Sequence, residues 1–162
     1  MSDLASDEVL DGLTCLVVAI LLRWRLHEVA GRRQDRSADA AVERDLAQQA
    51  VDRAEARLGA SGDVVVLQAQ LASARGRPAD ARRLLRPVLS GDLVPLRSTA
   101  LVTAWLLHAP LAERADRRPA ATEALLTALQ IAAPTGASRP FCDAGAEVHT
   151  LLSALRGRAG HL

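Results

Sequence analysis

Along most of the chain, apolar residues recur at spacings of three and four, the period of a helix packed on one face. Over 39–58, Val42, Leu46, Ala50, Ala54 and Leu58 fall every four positions among Glu43, Arg44, Asp52, Arg53, Glu55 and Arg57. This predicts an amphipathic helix closed by Gly59 and Gly62. Asp63 is placed to cap a helix over 64–75, whose Val64-Val65-Val66-Leu67 opening looks like a strand but runs unbroken toward Gly76. Pro78 suits the first turn of a third helix, with Ala81, Leu84, Leu85, Val88 and Leu89 on one face and Pro87 kinking its last turn. After a loop over 90–94, Pro95 is expected to open a helix carrying Leu101, Ala104, Trp105 and His108, bent or broken near Pro110 and ending near Asp116. Pro119 starts the next, with Leu125, Leu126, Leu129 and Ile131 expected to be buried and Pro134 to Gly136 as its end. A last helix is expected over 144–156, with Val148, Leu151, Leu152 and Leu155 on one face and Gly157 as its stop. No pair of strands is expected.

The most hydrophobic stretch is Leu13 to Leu22, bounded by Asp11 and Arg23. It is about half as long as a spanning helix of ~20 residues, so it predicts a buried helix and not a membrane anchor. Continued through Trp24 to Val29 it becomes more amphipathic and meets Gly31, although Thr14, Val17, Val18 and Ile20 leave a strand possible. Apolar nearly all round, it must be covered by other helices or by a second chain. Leu13, Leu16, Val17, Ile20 and Trp24 are the candidate association surface, and a two-fold homodimer is the simplest assembly that would cover it.

Arg77-Pro78-Ala79 returns as Arg118-Pro119-Ala120, which aligns Leu84 with Leu125, Leu85 with Leu126 and Val88 with Leu129 at a spacing of 118 less 77, or 41 residues. A period near 40 describes one helical hairpin per unit, longer than the strict 34 of tetratricopeptide repeats. One hairpin cannot bury its apolar face alone, so stacked neighbours must form a continuous core and leave a concave surface. The expected fold is all-α, a right-handed solenoid of antiparallel hairpins with about six or seven helices. Residues 1–36 form the apolar helix and linker, 37–157 the repeat domain and 158–162 a tail. A chain of 162 residues suffices for one domain that buries about two thirds of its unfolded surface.

A formal charge of +1 argues against nucleic-acid binding by this chain alone, because phosphate neutralisation normally requires a clustered positive excess. The arginine clusters at Arg32, Arg33 and Arg36, at Arg75, Arg77, Arg82, Arg83 and Arg86, and at Arg114, Arg117 and Arg118 are interspersed with acids, as on solvated helix faces. Arg75 and Arg114 are expected in last helical turns, where a cation complements the dipole. Every Lys+Arg residue is Arg, and Lys, Asn and Tyr, whose codons are A/T-rich, are missing. This points to a GC-rich genome of actinobacterial type. Cys15 and Cys142 form no C-x-x-C pair and predict buried free thiols in a reducing, cytoplasmic setting. Asp3, Asp7 and Glu8 stand where a signal peptide would carry positive charge, so export is not expected.

Catalysis finds little support in the residue inventory. Without lysine, phosphate-loop and Schiff-base chemistry are excluded. His27, His108, His149 and His161 stand singly, without metal-ligand spacing, and His108 is expected as a packed or partly exposed side chain. Ser73, Ser90 and Ser153 lack a G-x-S-x-G setting. Asp143 and Glu147 suit the positive end of the last helix. No enzyme activity, cofactor or metal is expected.

The C-terminal third carries a more specific signal. Ala124, Leu125, Ala128, Leu129, Ala132, Pro134 and Gly136, followed by Arg139, Pro140, Phe141, Asp143, Gly145, Leu151 and Leu152, fit the pattern ALxxALxxAxPxG leading into xRPFxDxGxxxxxLLxxL. This segment resembles the MalT-like, tetratricopeptide-type helical domain of LuxR-class bacterial transcription regulators, over roughly positions 46 to 156. In that family the segment ends the helical array, shortly before a DNA-binding helix-turn-helix, and no such element follows Gly157 here. The resemblance implies a non-catalytic sensor or protein-interaction module, binding a small-molecule inducer or a partner protein. It makes Arg139, Pro140, Phe141, Asp143 and Gly145 the candidate interaction motif, with Phe141 a buried anchor. The alternative is a stand-alone helical-repeat adaptor with no transcriptional role.

Overall fold

A computed structural model describes residues 36–159, and every regular element among them is helical. The chain divides into two units, Met1–Ala60 and Ser61–Leu162. The Leu13 to Leu22 stretch and the surface expected on Leu13, Leu16, Val17, Ile20 and Trp24 lie outside the described residues, as do Cys15 and the apolar helix predicted within 1–36.

In the first unit, α1 spans Arg36–Leu58. Its buried residues are Ala47, Ala50, Val51 and Ala54, whereas Val42 and Leu46 are 57% and 48% exposed. This corrects the predicted stripe. A strict spacing of four rotates by about 40° per step around the helix, so Val42 and Ala54 cannot share one face; the buried set follows three-and-four spacing instead.

The second unit opens with α2, Gly62–Ala74. Its N-cap is Ser61, whose hydroxyl accepts a bond from Val64 N at 3.4 Å. Asp63, expected as the cap, is 2% exposed and faces the loop before the fourth helix: Oδ2 accepts from Leu96 N at 2.6 Å and Oδ1 lies 3.6 Å from Arg97 Nε. Gly62 permits this approach, since a Cβ there would stand 2.7 Å from Pro95 N. Pro95 is therefore buried in a tethered loop, and α4 begins later, at Ser98–Glu113. That helix continues through Pro110 without a break.

Between them, α3 covers Pro78–Leu89, with Pro87 inside its last turn. Next come α5, Arg118–Ala132, a 3-10 turn Ala133–Thr135 ended by left-handed Gly136, the short α6, Arg139–Cys142, and α7, Ala146–Ala159. Gly157 does not stop α7, because nothing there requires the left-handed conformation that selects glycine.

The core forms on both sides of α4. Ala104 and Leu111 meet Val66, Ala69 and Ala72 of α2 and Ala81, Leu85 and Val88 of α3. On the opposite face, Val102, Leu106 and Ala109 meet Ala124, Leu125, Ala128 and Ala132 of α5 and Val148 of α7. A helix covered on two sides needs apolar residues almost all round, which explains the unbroken hydrophobic run of α4. Leu126 and Leu129, expected in the core, are instead 44% and 41% exposed, and Ile131 is half-buried.

The two helix pairs α2–α3 and α4–α5 repeat one another at 117 less 77, or 40 residues. Arg77 and Arg117 are both N-caps with closely similar backbone angles, φ −108, ψ 67 and φ −99, ψ 60. Each donates its N–H five residues back, to Ala72 O at 2.9 Å and Ala112 O at 3.0 Å. Ala69, Leu71, Ala72, Ala81, Leu85 and Val88 are buried, and so are Ala109, Leu111, Ala112, Ala121, Leu125 and Ala128. The tripeptide-based spacing of 41 is thus one residue too long. Proline occupies the first position of α3 but the second of α5, and the helix tolerates it at either because neither N–H has an intrahelical acceptor.

Candidate functional site

The motif expected from the sequence forms a joint between α5 and α7. Gly136 ends the preceding helix with φ 63, and Arg139-Pro140-Phe141-Cys142 makes a single helical turn in which proline costs no hydrogen bond. Arg139 Nε lies 3.7 Å from Asp143 Oδ2, an ion pair open to water that contributes little to stability. The Phe141 ring is half-buried and packs on the cluster shared by α4, α5 and α7. Its carbonyl accepts a bond from His149 Nε2 at 2.8 Å, so the ring proton on that nitrogen points back along the chain. Gly145 O receives Val148 N at 2.9 Å and His149 N at 3.3 Å, opening α7. Glu147 in the first turn of α7 meets Arg114, the C-cap of α4, at 2.5 Å.

Arg139, Phe141, Asp143 and Gly145 are therefore brought together as a fastening, with Pro140 half-buried in the same turn. Asp143 caps the end of α6 and pairs with Arg139; it does not lie in the first turn of α7, and only Glu147 takes the expected helix-dipole role. Cys142 is exposed, contrary to the buried thiol expected there, because the turn directs Phe141 and not its neighbour toward the core.

A second cluster, not anticipated as a site, lies on the flank of α4. Trp105 and His108, three residues apart on one helix face, are both half-buried and meet edge to face, with ring centroids 6.2 Å apart. His108 Nδ1 is enclosed without a hydrogen-bond partner. Burial lowers the imidazole pKa below its usual value, and the guanidinium charges of Arg117 and Arg82 lower it further. The ring is accordingly neutral near pH 7.

The two arginines come from different elements, Arg82 from α3 and Arg117 from the turn into α5. Neither has a carboxylate partner among the described residues, whereas Arg77, Arg83, Arg97, Arg114, Arg118 and Arg139 all do. The repeat accounts for part of this. Arg77 and Arg83 share Asp80 in the first helix pair, and 40 residues later that position is Ala120. Arg117, the counterpart of Arg77, has lost its acid. The missing acid is visible in the sequence, since neither position 120 nor position 121 carries one; the register of 40 assigns its loss to Arg117.

Among the described residues, no group of His, Cys, Asp and Glu is arranged to hold a metal, and no helix is long and apolar enough to cross a membrane. Comparison with protein-family models, curated proteins and solved structures finds no match to this chain.

Proposed function

We propose that this chain is a non-catalytic helical-repeat binding module, the sensor and protein-contact region of a LuxR-class transcription regulator of the MalT-like kind. The observation that supports it best is the helix pair repeated at 40 residues, with the same turn, cap and buried positions in both copies. Pairs of this kind, continued in one sense, build a right-handed stack whose concave side receives a ligand or partner. The fastened Arg139-Pro140-Phe141 joint, located where the resembling family ends its array, agrees with the same reading. Its partner is a small-molecule inducer or a protein, and nucleic-acid contact falls to other domains.

The alternative, a free-standing adaptor, differs in the size of the native protein. An antibody raised against this chain, used on the source cells, is expected to detect a species several times larger than 17.2 kDa. A band at the size of the chain alone, with no effect of its deletion on transcription, would favour the adaptor.

A further inference from the structure

We propose that the chain forms a two-fold dimer in which the outward face of α5 in each copy receives the outward face of α3 from the other. The inference goes beyond the reading as a binding module and places self-association on a surface other than the Leu13 to Leu22 stretch.

On α5, Pro119, Thr122, Leu126 and Leu129 follow one another at helical spacing, which sets them along one side of the helix. All are exposed except half-buried Thr122, while Ala121, Ala124, Leu125 and Ala128 are buried on the side opposite. A groove of about 620 Å³ follows the outward side, lined by α5 residues that include Thr122, Glu123, Leu126 and Gln130. Alternating steps of three and four are the seam against which a second helix packs. Glu123, at the edge of that seam, has no cationic partner among the described residues.

An apolar seam with an unbalanced acid calls for a helix whose face is basic and long-stemmed, and the chain itself carries one. In the first helix pair, α3 has Ala79, Arg82, Arg83 and Arg86 at the positions of Pro119, Thr122, Glu123 and Leu126. Arg83 is bound to Asp80, but Arg82 and Arg86 have no carboxylate partner among the described residues. Their aliphatic stems suit exposed leucine, and their guanidinium groups suit Glu123. The two stripes occupy equivalent positions of the repeat, so they turn outward from equivalent helices. A two-fold axis between them sets α3 on α5 twice, which covers both apolar faces and closes the assembly at two copies.

The test is the mass of the full chain at sedimentation equilibrium, at tens of micromolar. The parent is expected to be a dimer of 17.2 kDa chains. Leu126→Arg, Glu123→Arg and Arg86→Glu should each weaken association at least about tenfold, the first by removing the apolar contact and the others by opposing like charges. Arg86→Glu combined with Glu123→Arg exchanges the two charges and should restore association to within about threefold of the parent, so the result does not depend on any single variant folding. A monomeric parent, which would leave this face to a different partner, would overturn the proposal. So would masses above the dimer, or a charge exchange no better than its single variants. A dimer weakened by Leu16→Arg and not by Leu126→Arg would also overturn it and assign self-association to the N-terminal stretch.

Discussion

Gly76 and Asp116 occupy the same left-handed position in two turns 40 residues apart, with φ 69 and φ 56. Both precede an N-cap arginine, and both let the chain reverse between paired helices. An L side chain in this conformation costs about 1–2 kcal/mol, less for aspartate, which tolerates it better than most residues. A Cβ on Gly76 would meet nothing within 4 Å, so substitution there reports on the backbone alone. Gly76→Ala is expected to cost about 1 kcal/mol in urea unfolding and Gly76→Asp about half of that, because the second turn already accommodates aspartate. Equal stability of Gly76→Ala and the parent would contradict the shared turn.

The buried carboxylate of Asp63 ties the start of α2 to the loop before α4 through Leu96 N at 2.6 Å and Arg97 at 3.6 Å. Asp63→Ala leaves the part-buried Leu96 N–H and a partly enclosed guanidinium without this partner and should cost about 2–3 kcal/mol. Asp63→Asn keeps a carbonyl oxygen for Leu96 and should recover part of the loss. Gly62→Ala should be at least as damaging as Asp63→Ala, since its Cβ would stand 2.7 Å from Pro95 N. Thermal denaturation of the three variants checks the order.

Phe141 is half-buried and not the fully enclosed anchor that its motif suggests. Phe141→Ala should therefore cost about 1.5–2.5 kcal/mol, below the ~3–5 typical of a core phenylalanine. His149→Ala removes the bond to the Phe141 carbonyl and should cost about 0.5 kcal/mol at this exposed position. Little or no additional loss when Phe141→Ala is combined with His149→Ala would indicate that the two act as one joint.

The His108 pKa is lowered in the folded chain, so between that value and the unfolded one near 6.5 the unfolded state binds more protons. The sign follows: this contribution to stability is complete above about pH 6.5, falls as pH drops toward the folded pKa, and is constant below it. His108→Gln should remove that step from the difference between unfolding free energies measured at neutral and mildly acidic pH. A parent chain that lost no more stability than His108→Gln over this interval would contradict the assignment.

Helix class and most boundaries were legible because local signals mark them: proline in the first turn at Pro78 and Pro119, left-handed glycine at Gly136, and runs of apolar period. The repeat was visible too, but its phase was not. Proline can sit at the first or second helical position, and a tripeptide match cannot tell which; the slip by one matched Leu85 and Val88 with Leu126 and Leu129, which are exposed, instead of with Leu125 and Ala128, which are buried. Asp63 before a valine run resembles an N-cap, and only its pairing with residues 33 positions away, unseen in local sequence, assigns it elsewhere. The Trp105–His108 contact escaped for a related reason, since a spacing of three on one helix face does not by itself say that two rings meet.

The central claim is a helix pair, α2–α3, repeated 40 residues later as α4–α5, and the stabilities of Leu85→Ala, Leu125→Ala and Leu126→Ala test it most directly. Leu85 is 0% exposed and Leu125 2%, while Leu126 is 44% exposed. The account predicts losses of about 2–5 kcal/mol for the first two and under about 1 kcal/mol for the third. A Leu126→Ala loss matching that of Leu85→Ala, with Leu125→Ala nearly neutral, would contradict it.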